Sequence, residues 1–448
     1  MAFPHVVIIG GGFGGLAAAR ALRRAPVRVT LLDRRNHHLF QPLLYQVATA
    51  ALNPSDIAYP IRAALARQAN ARVLLADARA IDPVTRTVTL DDGALRYDFL
   101  IVATGATHSY FGHPDWAVHA PGLKSIEDAL EIRRRVFLAY EAAEREAEPA
   151  AQRGWLRFVV VGAGPTGVEL AGALGEIGLH TLAKDFRTID PTQVEVLLIE
   201  GNDRVLGGFP AELGDAAARA LARRHVTVRC GAKVVDLDDA GVTVATADGR
   251  REHLAARTVL WAAGVKASPL AASLGVPLDG AGRVLVEADL SIPGRPEVFV
   301  VGDLAACRCD GQPVPGVCQG AIQGGRHAAA MLLADLGQRP RRGFRYRDKG
   351  SLATIGRSSA VAVVGRRRHA GLGAWLVWWV VHIFYLIGFK NRFFVMLSWA
   401  WSWLTFQRGA RLITGPVDAL PTIRGLDDHG APALPAAAHT IAPGPPTA

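Results

Sequence analysis

Residues Val6 to Leu22 read VVIIGGGFGGLAAARAL, and this stretch decides the fold. A short apolar run suited to a buried parallel strand turns through glycines into an Ala/Leu-rich helix. Gly10, Gly12 and Gly15 fill the G-x-G-x-x-G positions: one for the tight turn, one for close approach of a pyrophosphate, one for close packing of the helix. The helix N-terminus adds free N–H groups and a partial positive charge. A second strand, Val27 to Leu32, ends in Asp33, where a carboxylate can take the ribose hydroxyls of an adenosine. A glycine triplet alone also makes ordinary turns. Strand before, helix after and acid at the right distance together predict a dinucleotide site.

The pattern recurs at Arg157 to Leu174, RFVVVGAGPTGVELAGAL, with Gly162, Gly164 and Gly167 in the glycine positions and a strand Val194 to Ile199 ending in Glu200. No arginine directly follows that acid to hold a 2′-phosphate, which favours NADH over NADPH. Two sites in one chain rule out a simple dehydrogenase with one nicotinamide site. They imply a flavin held by one site, a nicotinamide brought to it by the other, and hydride transfer between them. Small-residue turns fit this reading. Phe99 to Val102 leads into Ala103-Thr104-Gly105, and TVLWAAGV, Thr258 to Val265, ends through Gly264. EVFVVGDLAA, Glu297 to Ala306, ends a strand at Gly302-Asp303, where the aspartate can hold a flavin ribityl chain while the following helix points at the pyrophosphate. Taken alone, ATG is an ordinary turn and Asp303 a helix N-cap.

At 448 residues the chain exceeds one typical domain, and half of it is hydrophobic, enough for a sizeable core. A net charge of +10 with no nucleic-acid signature, its C-terminal basic residues flanking tryptophans, points to an anionic lipid surface and not to nucleic acid. The four cysteines (Cys230, Cys307, Cys309, Cys318) are few, and the N-terminus enters a strand with no signal-peptide pattern, so a reducing, cytoplasmic setting is expected. Residues 34–62 should wrap the first domain near its cofactor. Ala71 to Leu75 and Thr87 to Leu90 read as strands, Lys124 to Glu148 as a charged helix broken at Pro149 to Gly154, and SLATIGRSSAVAVVG as a strand pair. Gln319 and Gln323, four apart on one helix face, could hydrogen-bond a quinone carbonyl without bringing charge into an apolar site, or form an ordinary polar surface. Lys349, taken alone, is a solvated lysine.

LGAWLVWWVVHIFYLIGF, Leu372 to Phe389, is long enough to test as a membrane span, and Phe393 to Phe406 is a shorter companion. Arginines and lysines stand on both flanks (Arg366, Arg367, Arg368, Lys390, Arg392, Arg408, Arg411), leaving no positive-inside asymmetry. Six tryptophans spread through both runs. Two helices lying in one leaflet fit better than a span or a buried dimer surface. The Ala/Pro-rich end from about Gly430 should be disordered.

With these residues in view, the chain resembles the type II NADH dehydrogenases, single-subunit NADH:quinone oxidoreductases, over nearly its whole length to about residue 410. GGGFGGL for FAD, FQPLLYQVAT, ATGA, GAGPTGVELAG for NADH, WAAGV, VVGDLA and the quinone motif A-Q-x-x-x-Q carry the likeness; the last stands here as Cys318-Gln319-Gly320-Ala321-Ile322-Gln323. Cys318 departs from the usual alanine, and a thiol is small and apolar enough to fill that space. The resemblance implies an α/β fold of two Rossmann-like dinucleotide-binding domains of the flavin-dependent pyridine nucleotide-disulfide reductase type, plus a C-terminal membrane-binding helical region. It places the first part of the FAD domain at 1–120, the NADH domain at 121–285 and the second part of the FAD domain at 286–340. A membrane-anchoring region at 341–412 and a tail at 413–448 follow. It also implies Gln319 and Gln323 beside the flavin and quinone ring, Lys349 near the quinone, and Glu169 close to nicotinamide and flavin; the plain alternative for Glu169 is an acid in the first turn of a helix. The expected enzyme is a peripheral protein on the cytoplasmic side of the cell inner membrane, a homodimer as is common in such proteins. It passes a hydride from NADH to FAD and two electrons to a membrane quinone, with no metal and no proton pumping.

Rivals separate on cysteines and tail. Disulfide reductases need a cysteine pair near the first flavin helix, and the first cysteine here is Cys230. A sulfide:quinone oxidoreductase needs a flavin-facing cysteine from the C-terminal region, which has none, and Cys307 and Cys309 read as free thiols. Ferredoxin-type reductases lack the tryptophan-rich tail and the glutamine motif. A non-catalytic NADH-sensing flavoprotein would keep every motif and differ only in turnover.

Overall fold

The computed structural model describes residues 3–405, 408–415 and 420. The Ala/Pro-rich end, most of the expected 413–448 tail and Phe406 lie outside the described residues. Strands β1 (His5–Ile9), β2 (Arg28–Asp33), β3 (Ala71–Leu75) and β4 (Phe99–Val102) open the chain as a parallel sheet. Next, β5 (Arg157–Val161), β6 (Glu195–Ile199), β7 (Val226–Arg229) and β8 (Thr258–Trp261) build a second parallel sheet in the order β7-β6-β5-β8. The chain then returns, and β9 (Ser291–Ile292) with β10 (Arg295–Val300) completes the first sheet as β9-β10-β4-β1-β2-β3.

The sequence is apolar where the sheet is covered on both faces, as parallel strands require. Val6, Val7 and Ile8 have no exposed surface. On one face Val6, Ile8, Leu31 and Phe299 pack with α1 (Phe13–Ala21) and, from the far end of the chain, α5 (Cys318–Leu336), through Leu16, Ala328 and Leu332. On the other face Val7, Ile9 and Val102 meet Leu270 and Leu274. The remaining helices used below are α2 (Leu44–Ala48), α3 (Ile126–Arg145), α4 (Pro165–Glu176), α6 (Leu372–Tyr385) and α7 (Phe389–Thr405).

Two connectors join the halves. Ala106–His108 pairs antiparallel with Val265–Ala267, so the chain's exit from one sheet and its return run side by side. Helix α3 starts at a capping box, in which Ser125 Oγ accepts the Asp128 N–H (3.1 Å) and Asp128 accepts the Ser125 N–H (2.9 Å). Where a break was expected after it, Pro149–Trp155 is a short helix: Pro149 sits in the first turn, where its missing N–H has no cost.

The expected strand pair is present as β11 (Ser351–Gly356) and β12 (Ser359–Val364), but a third strand, β13 (Arg367–Gly371), extends it and holds Arg367 and Arg368, two of the arginines read from sequence as a flank. The two apolar runs become α6 and α7, and the break falls before Phe389, at Leu386–Gly388. There Gly388 takes φ +92°, and Arg392 donates to the carbonyls of Leu386 (2.7 Å) and Phe384 (2.8 Å). One side of the pair joins the main core: Ala374, Trp378 and Val395 are buried. The other side is apolar and exposed, including Leu376, Val380, Phe384, Leu397 and Trp401. No helix among the described residues is long and apolar enough to cross a membrane.

Candidate functional site

Each sheet ends in a glycine loop held by the acid of the neighbouring strand. Gly10 adopts φ +103° and Gly162 φ +96°, conformations that L side chains avoid. Asp33 Oδ2 accepts the Gly11 N–H (2.5 Å) and its Oδ1 the Arg35 N–H (2.7 Å). Glu200 Oε2 accepts the Ala163 N–H (2.7 Å), and its Oε1 takes the Asn202 N–H (2.9 Å) and side-chain amide (2.6 Å). Both carboxylates therefore fix the loop and keep unused lone pairs for ribose hydroxyls.

The three glycines of each loop differ in surroundings. A Cβ at Gly15 would lie 1.8 Å from the Gly10 carbonyl oxygen, and one at Gly167 equally close to that of Gly162. At Gly12 and Gly164, which cap α1 and α4 with no side-chain hydrogen bond, nothing lies within 4 Å of the same atom. That open side, in front of a helix N-terminus, suits a pyrophosphate.

Around the first loop, Gly10 abuts Ala103, and Gly14 abuts Val301 and the Ala321 carbonyl, so β1, β4, β10 and α5 converge there. The Thr104 hydroxyl is buried with no partner among the described residues. Asp303 likewise has no hydrogen bond or ion pair among them. An orphaned hydroxyl, a free carboxylate and an open glycine fit the polar length of FAD. Gly302 (φ +72°) packs against Ala321 of α5. That helix does not follow Asp303 directly as expected: two short strands and a hairpin intervene before α5 begins at Cys318. Gly105 and Gly264 stand on the paired connectors, bonded to Ser268 and Ser109 by backbone (3.3 Å each).

Gln319 and Gln323 are bound to backbone. The Gln319 amide donates to the Gly350 carbonyl (3.0 Å) and accepts the Lys349 N–H (3.0 Å). Gln323 does the same with Arg347, at 2.9 Å each way. The pair thus pins the irregular segment 347–350 along α5. Lys349 Nζ, so placed, donates to the Tyr385 hydroxyl (2.9 Å) on α6.

Glu169 is not in the first turn of α4, which carries no acid. Among the described residues its carboxyl meets only the Thr354 N–H, at a long 3.5 Å, and burial pushes it up to about 8. Burial pushes the Tyr45 phenol well above its ordinary range, and the nearby Glu169 carboxyl adds to that rise. All four cysteines are free, and burial pushes Cys307 up to about 11 and Cys318 upward. Sequence reading missed Tyr385, Thr354 and the pairing of Trp399 Nε1 with Gln46 Oε1 (2.6 Å), contacts between residues 36 to 353 apart that leave no local signal.

Comparison with known proteins places this geometry. Residues 4–325 match the family model for pyridine nucleotide-disulphide oxidoreductases. The chain is 48% identical to the type II NADH:quinone oxidoreductase Ndh of Mycobacterium tuberculosis, over 92% of this chain and 90% of the relative. It is 47% identical to that organism's NdhA, over 92% and 89%. In fold it is similar to NDH2 of Plasmodium falciparum solved with NADH (TM-score 0.84, 19% identity, 92% of this chain and 100% of that one). It is also similar to the sulfide:quinone oxidoreductase of Aquifex aeolicus (TM-score 0.70, 23% identity, 87% and 91%). The chain belongs to the pyridine nucleotide-disulphide oxidoreductase family and, within it, to the type II NADH:quinone oxidoreductases.

Proposed function

We propose that this chain oxidises NADH and reduces a membrane quinone through bound FAD, while resting on the cytoplasmic face of the inner membrane. The observation that carries the reading is the repeated loop: two glycine turns in one chain, each held by the acid of the next strand, Asp33 on Gly11 and Glu200 on Ala163. Bound FAD supplies the chemistry, taking a hydride from NADH and passing two electrons to quinone.

The chain's own residues bind and position. In this reading residues 1–120 and 286–340 form the FAD-holding half and 121–285 the NADH-holding half. Gly10, Gly12 and Gly15 admit the FAD pyrophosphate, Asp33 takes a ribose hydroxyl, and Thr104, Gly105, Gly302 and Asp303 line the rest of the cofactor. Gly162, Gly164, Gly167, Glu200 and Gly264 serve NADH. Glu169, protonated at neutral pH, can hold a proton beside the reacting rings without adding charge. Gln319 and Gln323 set the position of Lys349, which orients the Tyr385 hydroxyl and presents a positive charge where a quinone oxygen gains electrons.

Attachment to lipid, within region 341–412, is supported by the exposed side of α6 and α7 and by the exposed arginines of β13. Full-length FAD-loaded protein on phosphatidylglycerol vesicles should consume quinone with NADH and much less with NADPH. Glu200→Gln should weaken NADH binding about tenfold, the size of a lost charged hydrogen bond. NADH oxidation without quinone reduction would refute the acceptor.

A further inference from the structure

A cavity of about 100 Å³ lies where α6 and α7 meet α2 and α4. It belongs to neither glycine loop. Its lining includes Tyr45, Glu176, Arg357, Trp378, Trp403 and Arg408. The Trp378 side chain is 2% exposed, and its indole N–H has no acceptor among the described residues. The Tyr45 hydroxyl accepts from Gln46 Nε2 (2.9 Å), which leaves its own proton to donate.

Guanidinium groups gather around the same cavity. Glu176 is shared among Arg224 (2.9 Å), Arg408 (3.5 Å) and the Arg357 backbone N–H (2.5 Å). Arg408 is buried and, among the described residues, otherwise donates to the carbonyls of Thr49 (2.8 Å) and Ala173 (3.4 Å). The Arg357 guanidinium lies 5.0 Å over the Trp403 ring. The Arg224 and Arg408 guanidinium groups thus flank the Glu176 carboxylate, Arg357 lines the same cavity, and Glu169, close to Tyr45 and pushed up to about 8 by burial, adds no negative charge at neutral pH. Donors and positive charge together call for an anionic oxygen.

Size and surroundings narrow the ligand. A cavity that holds a benzene ring needs about 150 Å³, so a quinone ring is too large for this one and a phosphate group is not. The neighbouring tail residues Trp401, Trp403 and Leu404 are 59%, 43% and 69% exposed, an apolar setting suited to acyl chains.

We propose that this cavity seats the phosphate of an anionic phospholipid, held by Tyr45, Trp378, Arg357 and Arg408 where the tail joins the body. The proposal deepens the membrane-surface reading above and rests on it. Soluble lipids test the site, and vesicle flotation of the parent protein tests the surface, so the two can fail separately.

The experiment is calorimetric titration of the FAD-loaded full chain with four probes. These are short-chain phosphatidylglycerol below its micelle concentration, diacylglycerol of the same chain length, inorganic phosphate and a short-chain quinone. Phosphatidylglycerol should saturate at one per chain, with diacylglycerol and inorganic phosphate each at least tenfold weaker. Trp378→Phe, which keeps an aromatic ring and removes the indole N–H donor, should weaken phosphatidylglycerol about tenfold. Arg357→Gln, outside the core, should do the same and covers the case in which the tryptophan variant fails to fold. Equal affinity for diacylglycerol, tight binding of phosphate alone, displacement of the lipid by quinone, or unchanged affinity in Arg357→Gln would each overturn the proposal.

Discussion

Positions 12 and 15 differ sharply in what one added methyl group would meet. At 15 the added carbon would sit 1.8 Å from the Gly10 oxygen, and at 12 it meets nothing within 4 Å. Gly15→Ala is therefore expected to give insoluble or misfolded protein. Gly12→Ala should melt like the parent when both are stripped of flavin, yet hold FAD at least about tenfold more weakly, because the space it fills is the one proposed for the pyrophosphate. Flavin-release fluorescence beside apoprotein melting decides this. Glu169 gives a pH test. Its carboxyl moves from an ordinary 4.5 to about 8 on folding, so between those values the unfolded chain is ionised there and the folded chain is protonated. Stability from this residue therefore falls as pH rises from about 4.5 to 8 and levels off above. Glu169→Gln removes the penalty. Its advantage in melting temperature over the parent should grow from pH 5 to 8 and stay flat to pH 9; a constant difference would contradict the burial of this acid.

At the scale of elements, the strand, loop and helix units were legible because each is a local pattern: apolar run, glycines at fixed spacing, acid at the next strand's end. The glutamine pair was legible only as spacing. Its partner is an irregular backbone segment 24 to 31 residues away, and nothing in Gln319 or Gln323 announces that both amides are spent on residues 347–350. The same limit hid the Lys349–Tyr385 bond, since the lysine is ordinary until α6 is placed beside it. Apolar length also misplaced the tail break, which follows Gly388 and the Arg392 cap instead of the charged residues alone. Gln323→Met keeps the side chain's length and removes both bonds to Arg347. It should cost about 1 to 2 kcal/mol in denaturant unfolding. It should also raise the KM for quinone with little effect on NADH oxidation, and an equal loss in both half-reactions would place the clamp elsewhere in the cycle.

Over the whole molecule, the tail is both core and surface. Ala374, Trp378 and Val395 are buried with the body, Trp399 bonds Gln46, and Arg408 reaches the carbonyls of Thr49 and Ala173. Deleting everything after Gly371 would strip that core, so the truncated chain should aggregate. Polar replacement of the exposed residues alone, Leu376→Ser, Val380→Ser and Phe384→Ser together, should keep the fold and release the protein from phosphatidylglycerol vesicles in flotation. Retained flotation would move the lipid contact to another face. The central claim is that one chain joins an NADH site to a quinone site through FAD, and sequential-mixing stopped flow tests it most directly. NADH mixed anaerobically with the full-length holoprotein should bleach the flavin absorbance, and a second mixing with short-chain quinone should restore it, both faster than turnover. Bleaching that quinone does not reverse would contradict the account.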